Sequence, residues 1–319
     1  MARVLVVGHE RSATTWIGHV LAATRGASYL HEPDDAGKFP FAIRAMAGRG
    51  TLPVLAADDP GSHSLVRLWD VAFGCTQPRY VRGQTRVSRD LVVGASEESL
   101  ERMQSSDRRL TPRLRLAAAL AVPRHRRPSP HRIVKSVHAP LMVDWLTARW
   151  DPAVVVCFRH PLDVVASVIE AGTGARTARG ITRLLSPEAL AVGTVRYRVP
   201  LPDGDDQVAY TAWRVGLVMS ALLDTCRDHP DFHVVHHERV CEDPVGQLHA
   251  LVDAVGLEWT ADTEALVTDS NQPGTLWQTR RVAREQRDRW RTRLTPSDAR
   301  LAAQVLSQFP IAARYPLGD

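Results

Sequence analysis

Four short, β-branched apolar runs, each followed by a stretch of helical periodicity, constrain this chain more than any other feature. The runs are Arg3–Gly8, His131–Val137, Ala153–Arg159 and Phe232–His236, and the helical patterns cover Thr14–Thr24, Ala139–Trp150, Leu162–Ala171 and Val245–Val255. Near-continuous apolar runs of this length mark strands buried on both faces. Strand and helix in alternation predict an α/β fold of three layers, with a mostly parallel central sheet and helices on both faces. In such folds ligands collect where the carboxyl ends of the strands give way to loops.

A further long amphipathic helix is expected over Gln207–Asp228. Residues 48–79 and 104–130, rich in Gly, Pro and Arg, read as loop-rich excursions, and 172–206 reads as a lid segment, because long irregular tracts in a compact domain are usually functional or disordered. No repeat and no linker divides the 319 residues, so 1–319 is expected to be one domain with insertions over residues 37–130. An apolar content of 44% suits a chain with a sizeable core.

The net charge of +5 has one source. Nine Lys/Arg and no Asp or Glu lie between Arg108 and Lys135, so the remainder sums to 5 − 9 = −4. A solvated basic face accounts for most of these arginines. No zinc-finger spacing, aromatic RNP run or basic zipper accompanies them, so no nucleic-acid partner is expected. Cys75, Cys157, Cys226 and Cys241 are far apart and form no C-x-x-C pair, which suits a reduced protein without a disulfide framework or zinc site. The N-terminal apolar segment is too short for a signal peptide, and no run of about 18 apolar residues occurs, so a cytoplasmic location without a spanning helix is expected.

The first apolar run delivers the chain into "GHERSATTW", residues 8–16. A strand, a polar turn and a helix start present backbone N–H groups to an anion. Arg11 adds a cation, and Ser12, Thr14 and Thr15 add hydroxyls. A nucleotide-binding P-loop would carry Gly at 13 and Lys at 14, where this chain has Ala13 and Thr14. Without that Lys, support for a transferring γ-phosphate is weak. A second anion loop stands at "VVVCFRHPLDVVAS", residues 154–167, where Arg159 ends a strand, Pro161 suits a first helical turn and Ser167 lies two turns into the helix. An Arg and a Ser so placed can converge on one phosphate; the plainer alternative pairs Arg159 with Asp163 and packs Ser167 on the sheet. Two such sites imply a ligand with two separated anionic groups.

"GHERSATTW" followed by "FRHPLDVVAS" resembles the paired 5′-phosphosulfate and 3′-phosphate loops of the sulfotransferases that use 3′-phosphoadenosine 5′-phosphosulfate (PAPS). "FHVVHHERVCEDPVGQLHALVDAVGL", residues 232–257, and "RWRTRLTPSDARLAAQVL", residues 289–306, resemble the family's later strand–helix unit and its C-terminal segment. The resemblance implies a P-loop-NTPase-like topology, PAPS as donor and no metal. It implies that Arg11, Ser12, Ala13, Thr14, Thr15, Arg159 and Ser167 hold the nucleotide. Trp16 stands where the family often stacks an aromatic on adenine, and a core role is the alternative. Ala13 replaces the family's Gly, which matters if φ there must be positive, and the Glu10 carboxylate must point away from an anion site.

Sulfuryl transfer to a hydroxyl or amine needs a base for the acceptor proton and cations for the departing phosphate oxygen. Glu32, in "SYLHEP" at the end of an expected second strand, stands 21 residues after Arg11, the interval of the base in the tyrosylprotein branch. A structural Glu before Pro33 is the alternative. His138, three residues after Lys135, is the rival base; it stands one residue further on than in the small-phenol branch, and continued strand alternation would turn it to the other side. Lys135 is the expected stabiliser of the leaving oxygen. Arg281, Arg284 and Arg289 compete to reach the 3′-phosphate, with spacing to Trp290 favouring Arg289. The acceptor class implied is a small molecule, glycolipid or carbohydrate. A small-molecule P-loop kinase and a non-catalytic nucleotide or polyanion binder are the alternative functions.

Overall fold

The computed structural model describes residues 2–35, 40–74, 129–172, 180, 184–272 and 283–317. Five parallel strands, β1 (Ala2–Gly8), β2 (Ala27–His31), β3 (His131–Ser136), β4 (Ala153–Phe158) and β5 (His233–His236), form one sheet in the order β2-β3-β1-β4-β5. β1 lies at the centre, pairing Val6 with Lys135 on one side and with Val155 on the other. The helices of eight residues or more among the described residues are α1 (Thr14–Ala22), α2 (His63–Ala72), α3 (Val143–Trp150), α4 (Pro161–Ala171), α5 (Gln207–Asp228), α6 (Pro244–Ala254), α7 (Ala261–Ser270) and α8 (Pro296–Leu306).

Alternate residues of the strands feed two apolar layers, as a period of two requires. Val4, Val6, Ile133 and Val155 pack with Ile17 and Leu21 of α1 and with Leu248 and Val252 of α6. Leu5, Val7, Val134 and Val156 pack into the larger layer with α2, α3, α4, α5 and α8. The fold is therefore α/β in three layers, with helices on both faces of a parallel sheet.

Described parts of two tracts read as irregular form helices that their composition does not suggest. Within 48–79, α2 is capped by Ser62, whose Oγ accepts from Leu65 N, and buries Leu65, Leu68, Trp69 and Ala72 on one face. Neighbouring Gly and Pro mask that i, i+3, i+4, i+7 pattern in the sequence. Within 172–206, residues Pro187–Ala191 form a short helix that runs into a π-turn over Val192–Arg196. A Cβ on Gly193 would sit 2.2 Å from Trp213 Cζ2 of α5, so only glycine lets this turn lie on the helix. The tract 104–128 lies outside the described residues.

Candidate active site

The loop after β1 is shaped by close backbone approach. A Cβ on Gly8 would sit 2.7 Å from the Cys157 carbonyl oxygen and 2.8 Å from Thr14 Cγ2, so the strand-to-turn step needs glycine. Arg11 and Ala13 follow with φ of 68° and 64°. Left-handed residues in a tight turn can aim N–H groups to one side, a concavity suited to an anion beside the start of α1, while the Ser12 N–H is taken by the His9 carbonyl at 3.2 Å. Ala13 thus holds the conformation that favours glycine and carries backbone strain. Ser12 and Thr14 are buried and Thr15 is half-buried. Ser12 Oγ has no hydrogen-bond partner among the described residues. Glu10 turns away from this concavity to Arg214 of α5, at 2.6 Å. Burial, the largest single influence, would raise the Glu10 pKa, but Arg214 and the neighbouring histidines together outweigh it and hold the carboxyl below its usual range.

Residues expected to share a ligand meet across 156 positions of sequence: Arg11 Nε donates to Ser167 Oγ at 2.9 Å. Arg159, at the end of β4, donates from Nη1 to the Arg11 carbonyl at 3.1 Å and from Nη2 to the Gln286 carbonyl at 3.2 Å. Its Nε is buried without a partner among the described residues, and burial lowers the Arg159 pKa against the charge the side chain carries. Asp163 is not hydrogen-bonded to Arg159 among the described residues; its Oδ1 accepts from the Trp290 backbone N at 2.8 Å. The C-terminal segment is therefore fastened to both ends of the second loop.

Glu32 follows β2 with φ of 49° and is buried, and its N donates to the Lys135 carbonyl at 2.7 Å. Its Oε1 forms an ion pair with Lys135 Nζ, and Oε2 lies 3.4 Å from His31 Nε2. Lys135, at the end of β3, is buried too. His138 is not turned away: β3 ends at Ser136, so strand alternation does not extend to it. One ligand-type atom each of Glu32, Asp35 and His138 lies within 4.8 Å of the others. The Lys135 ammonium on Glu32 works against a second cation there. His138 Nδ1 lies 2.9 Å from the Thr51 carbonyl oxygen, which can only accept, so Nδ1 carries the proton and Nε2 the lone pair.

Sequence reasoning missed the lock beneath this pair. Ser136 Oγ donates to Asp34, 2.9 and 2.7 Å from its two carboxylate oxygens, and accepts from the N–H groups of His138 and Ala139 at 3.0 and 3.1 Å. Burial raises the Asp34 pKa. The acidic "EPDD" after the second strand was the available signal, but only the register of β2 with β3 brings it to Ser136.

Of the remaining site residues, Trp16 is half-buried on the α1 side of the sheet, and its Nε1 donates to Ser270 Oγ of α7 at 2.7 Å. Arg289 is half-buried and donates to Gln286 Oε1 at 3.2 Å, one turn before Trp290. Arg281 lies outside the described residues, as does the side chain of Arg284. No helix among the described residues is long and apolar enough to cross a membrane.

Solved structures that match this chain include the sulfotransferase domain from the curacin biosynthetic pathway, at 12% identity and a TM-score of 0.46, covering 97% of this chain and 99% of that one. A sulfotransferase from Mycobacterium avium matches at 13% identity and a TM-score of 0.38, covering 97% of this chain and 76% of that one. Retinol dehydratase in a complex with retinol and PAP matches at 15% identity and a TM-score of 0.40, covering 99% and 83%. No curated protein matches this chain. Residues 3–261 match the model of the sulfotransferase family, a span that begins at β1, takes in both anion loops and the Glu32–Lys135 pair, and ends at the start of α7. With more than half of its length matched, the chain belongs to the sulfotransferase family.

Proposed function

We propose that this protein transfers a sulfuryl group from PAPS to a hydroxyl or amine of a small-molecule, glycolipid or carbohydrate acceptor. The observation that carries the reading is the convergence of Arg11, Arg159 and Ser167 beside the β1 loop, with Ser12 Oγ and Arg159 Nε buried and without a partner among the described residues. Desolvated donors of this kind are costly unless an anion or other acceptor meets them. Arg11, Ser12, Ala13, Thr14 and Thr15 hold the 5′-phosphosulfate end in this reading. Arg159, Ser167 and Arg289 hold the 3′-phosphate, and Trp16 flanks the adenine.

In the transfer the acceptor oxygen forms a bond to sulfur while the bond from sulfur to the 5′-phosphate oxygen breaks. Glu32 takes the acceptor proton, and Lys135 meets the negative charge left on the phosphate oxygen. Their ion pair supports these roles by keeping a proton acceptor and a cation side by side at adjacent strand ends. His138 Nε2 is the alternative proton acceptor. The reading predicts release of 3′-phosphoadenosine 5′-phosphate when the protein is mixed with PAPS and a panel of hydroxyl acceptors, without added metal. Binding of the nucleotide with no release on any acceptor would favour a non-catalytic binder; turnover of ATP with Mg²⁺ instead would favour a kinase.

A further inference from the structure

α5 is buried on all sides from Ala209 to Leu223, polar residues included. At 3.6 residues per turn, Gln207, Thr211 and Arg214 fall on one stripe of the helix. Each carries a buried atom with no hydrogen-bond partner among the described residues: Gln207 Nε2, Thr211 Oγ1 and Arg214 Nε. A threonine inside a helix ordinarily returns its hydroxyl to the carbonyl four residues back. Thr147, Thr194 and Thr268 do so here, to Val143, Leu190 and Glu264 at 3.0 Å each. The Thr211 hydroxyl makes no such bond and is 3% exposed.

His9 adds a fourth such atom beside the stripe. Its Nδ1 lies 2.8 Å from the Glu10 carbonyl oxygen, which only accepts, so Nδ1 carries the proton and Nε2 keeps a lone pair. That Nε2 is buried and has no partner among the described residues. Burial first, and Arg214 second, lower the His9 pKa to about 4, so the ring is neutral near pH 7. Arg214 is neutralised by Glu10. Glu10 in turn stands next to Arg11 in the loop after β1. A line of polar groups therefore runs from the loop after β1, where Glu10 precedes Arg11, to the stripe on α5.

This lining offers a donor at Arg214, an acceptor at His9 and a hydroxyl that does both at Thr211, with no net charge. A flat apolar acceptor would leave all three desolvated and unpaired, and an anion would find its one cation already paired. A hydroxyl both donates and accepts, and so satisfies each of them. We infer that His9, Thr211 and Arg214 form an acceptor subsite for a neutral, polyhydroxylated molecule of the sugar or cyclitol kind; the inference rests on the sulfuryl-transfer reading above.

The test uses the full chain, PAPS, and three acceptor sets: neutral glycosides and cyclitols, flat phenols, and sugar phosphates. Neutral polyols should give the highest kcat/KM. Thr211→Val keeps the shape and removes the hydroxyl, and should raise KM for polyols roughly 5- to 10-fold, the loss of about one hydrogen bond, with unchanged affinity for 3′-phosphoadenosine 5′-phosphate. Thr211→Ser should restore KM. Because the variant also removes an unpaired buried hydroxyl, its melting temperature should equal or exceed that of the parent, a combination that a structural hydroxyl does not produce. Gln207→Leu, at a half-buried position, supplies the same comparison if Thr211→Val does not fold. Preference for phenols or sugar phosphates, or an unchanged polyol KM in these variants, overturns the subsite and leaves the transfer reading intact. Absence of both nucleotide binding and turnover overturns the transfer reading, and the subsite with it.

Discussion

Ala13→Gly should make this protein more stable, against the usual effect of adding a glycine at a helix start. Ala13 is the N-cap of α1, with φ 64° and ψ 11°, and makes no side-chain cap hydrogen bond that the substitution would lose. An L-residue held left-handed costs about 1–2 kcal/mol, and glycine releases that cost. Glycine also loosens the unfolded chain, which takes back about 0.4–1 kcal/mol. The net gain is about 1 kcal/mol. For 319 residues, an unfolding entropy of about 2 cal/mol/K per residue turns that gain into a rise of about 1.5 °C in Tm. Urea titration and calorimetric melting, with Ala13→Val as the opposite control, read it out. Valine is worse than alanine at positive φ, so the order Gly above Ala above Val is required. A glycine variant less stable than the parent would refute the strained cap.

Other consequences follow from the site and the fold. Glu32→Gln should lower kcat about 10²- to 10⁴-fold, the usual range for a general base, while affinity for 3′-phosphoadenosine 5′-phosphate, read by calorimetry, stays within about twofold of the parent. Gly193→Ala drives a methyl to 2.2 Å from Trp213 and should cost about 1–3 kcal/mol in urea unfolding; an unchanged midpoint would mean that the π-turn does not rest on α5. Burial and Arg214 hold the folded His9 pKa at about 4, below the usual imidazole value of 6.5, so its contribution is complete above pH 6.5 and is lost as pH falls through 4. That amounts to as much as about 3 kcal/mol. His237, shifted the same way by burial and Arg159, steepens the loss. His9→Gln should flatten unfolding free energy between pH 6.5 and 4, and an unaltered slope would contradict the burial of a neutral His9.

The strands were legible because parallel strands covered on both faces must be apolar almost throughout, and the observed ends differ from the expected ones by a residue or two. The positions of Arg159 at a strand end and of Ser167 in the second turn of the next helix were legible because local geometry fixes them. What could not be read are contacts that only the sheet order creates. Glu10 meets Arg214 across 204 positions, and Asp34 meets Ser136 across 102. Neither partner has any local reason to be chosen. His138 was misplaced for a different reason: alternation was carried past Ser136, where the strand stops and its hydroxyl takes the next N–H groups. The helix at His63–Ala72 was overlooked because composition over a long window outweighed a clean ten-residue pattern inside it.

The central claim is that two loops built around Arg11 and Arg159 hold the two ends of one nucleotide. Calorimetric titration with 3′-phosphoadenosine 5′-phosphate tests it most directly, run beside ATP with Mg²⁺ and repeated on Arg159→Ala. The first nucleotide should bind tightly and indifferently to metal, with a loss of about 10²-fold in the variant, as expected when a charge-assisted pair of hydrogen bonds is removed. No binding, or a preference for ATP with Mg²⁺, would contradict it.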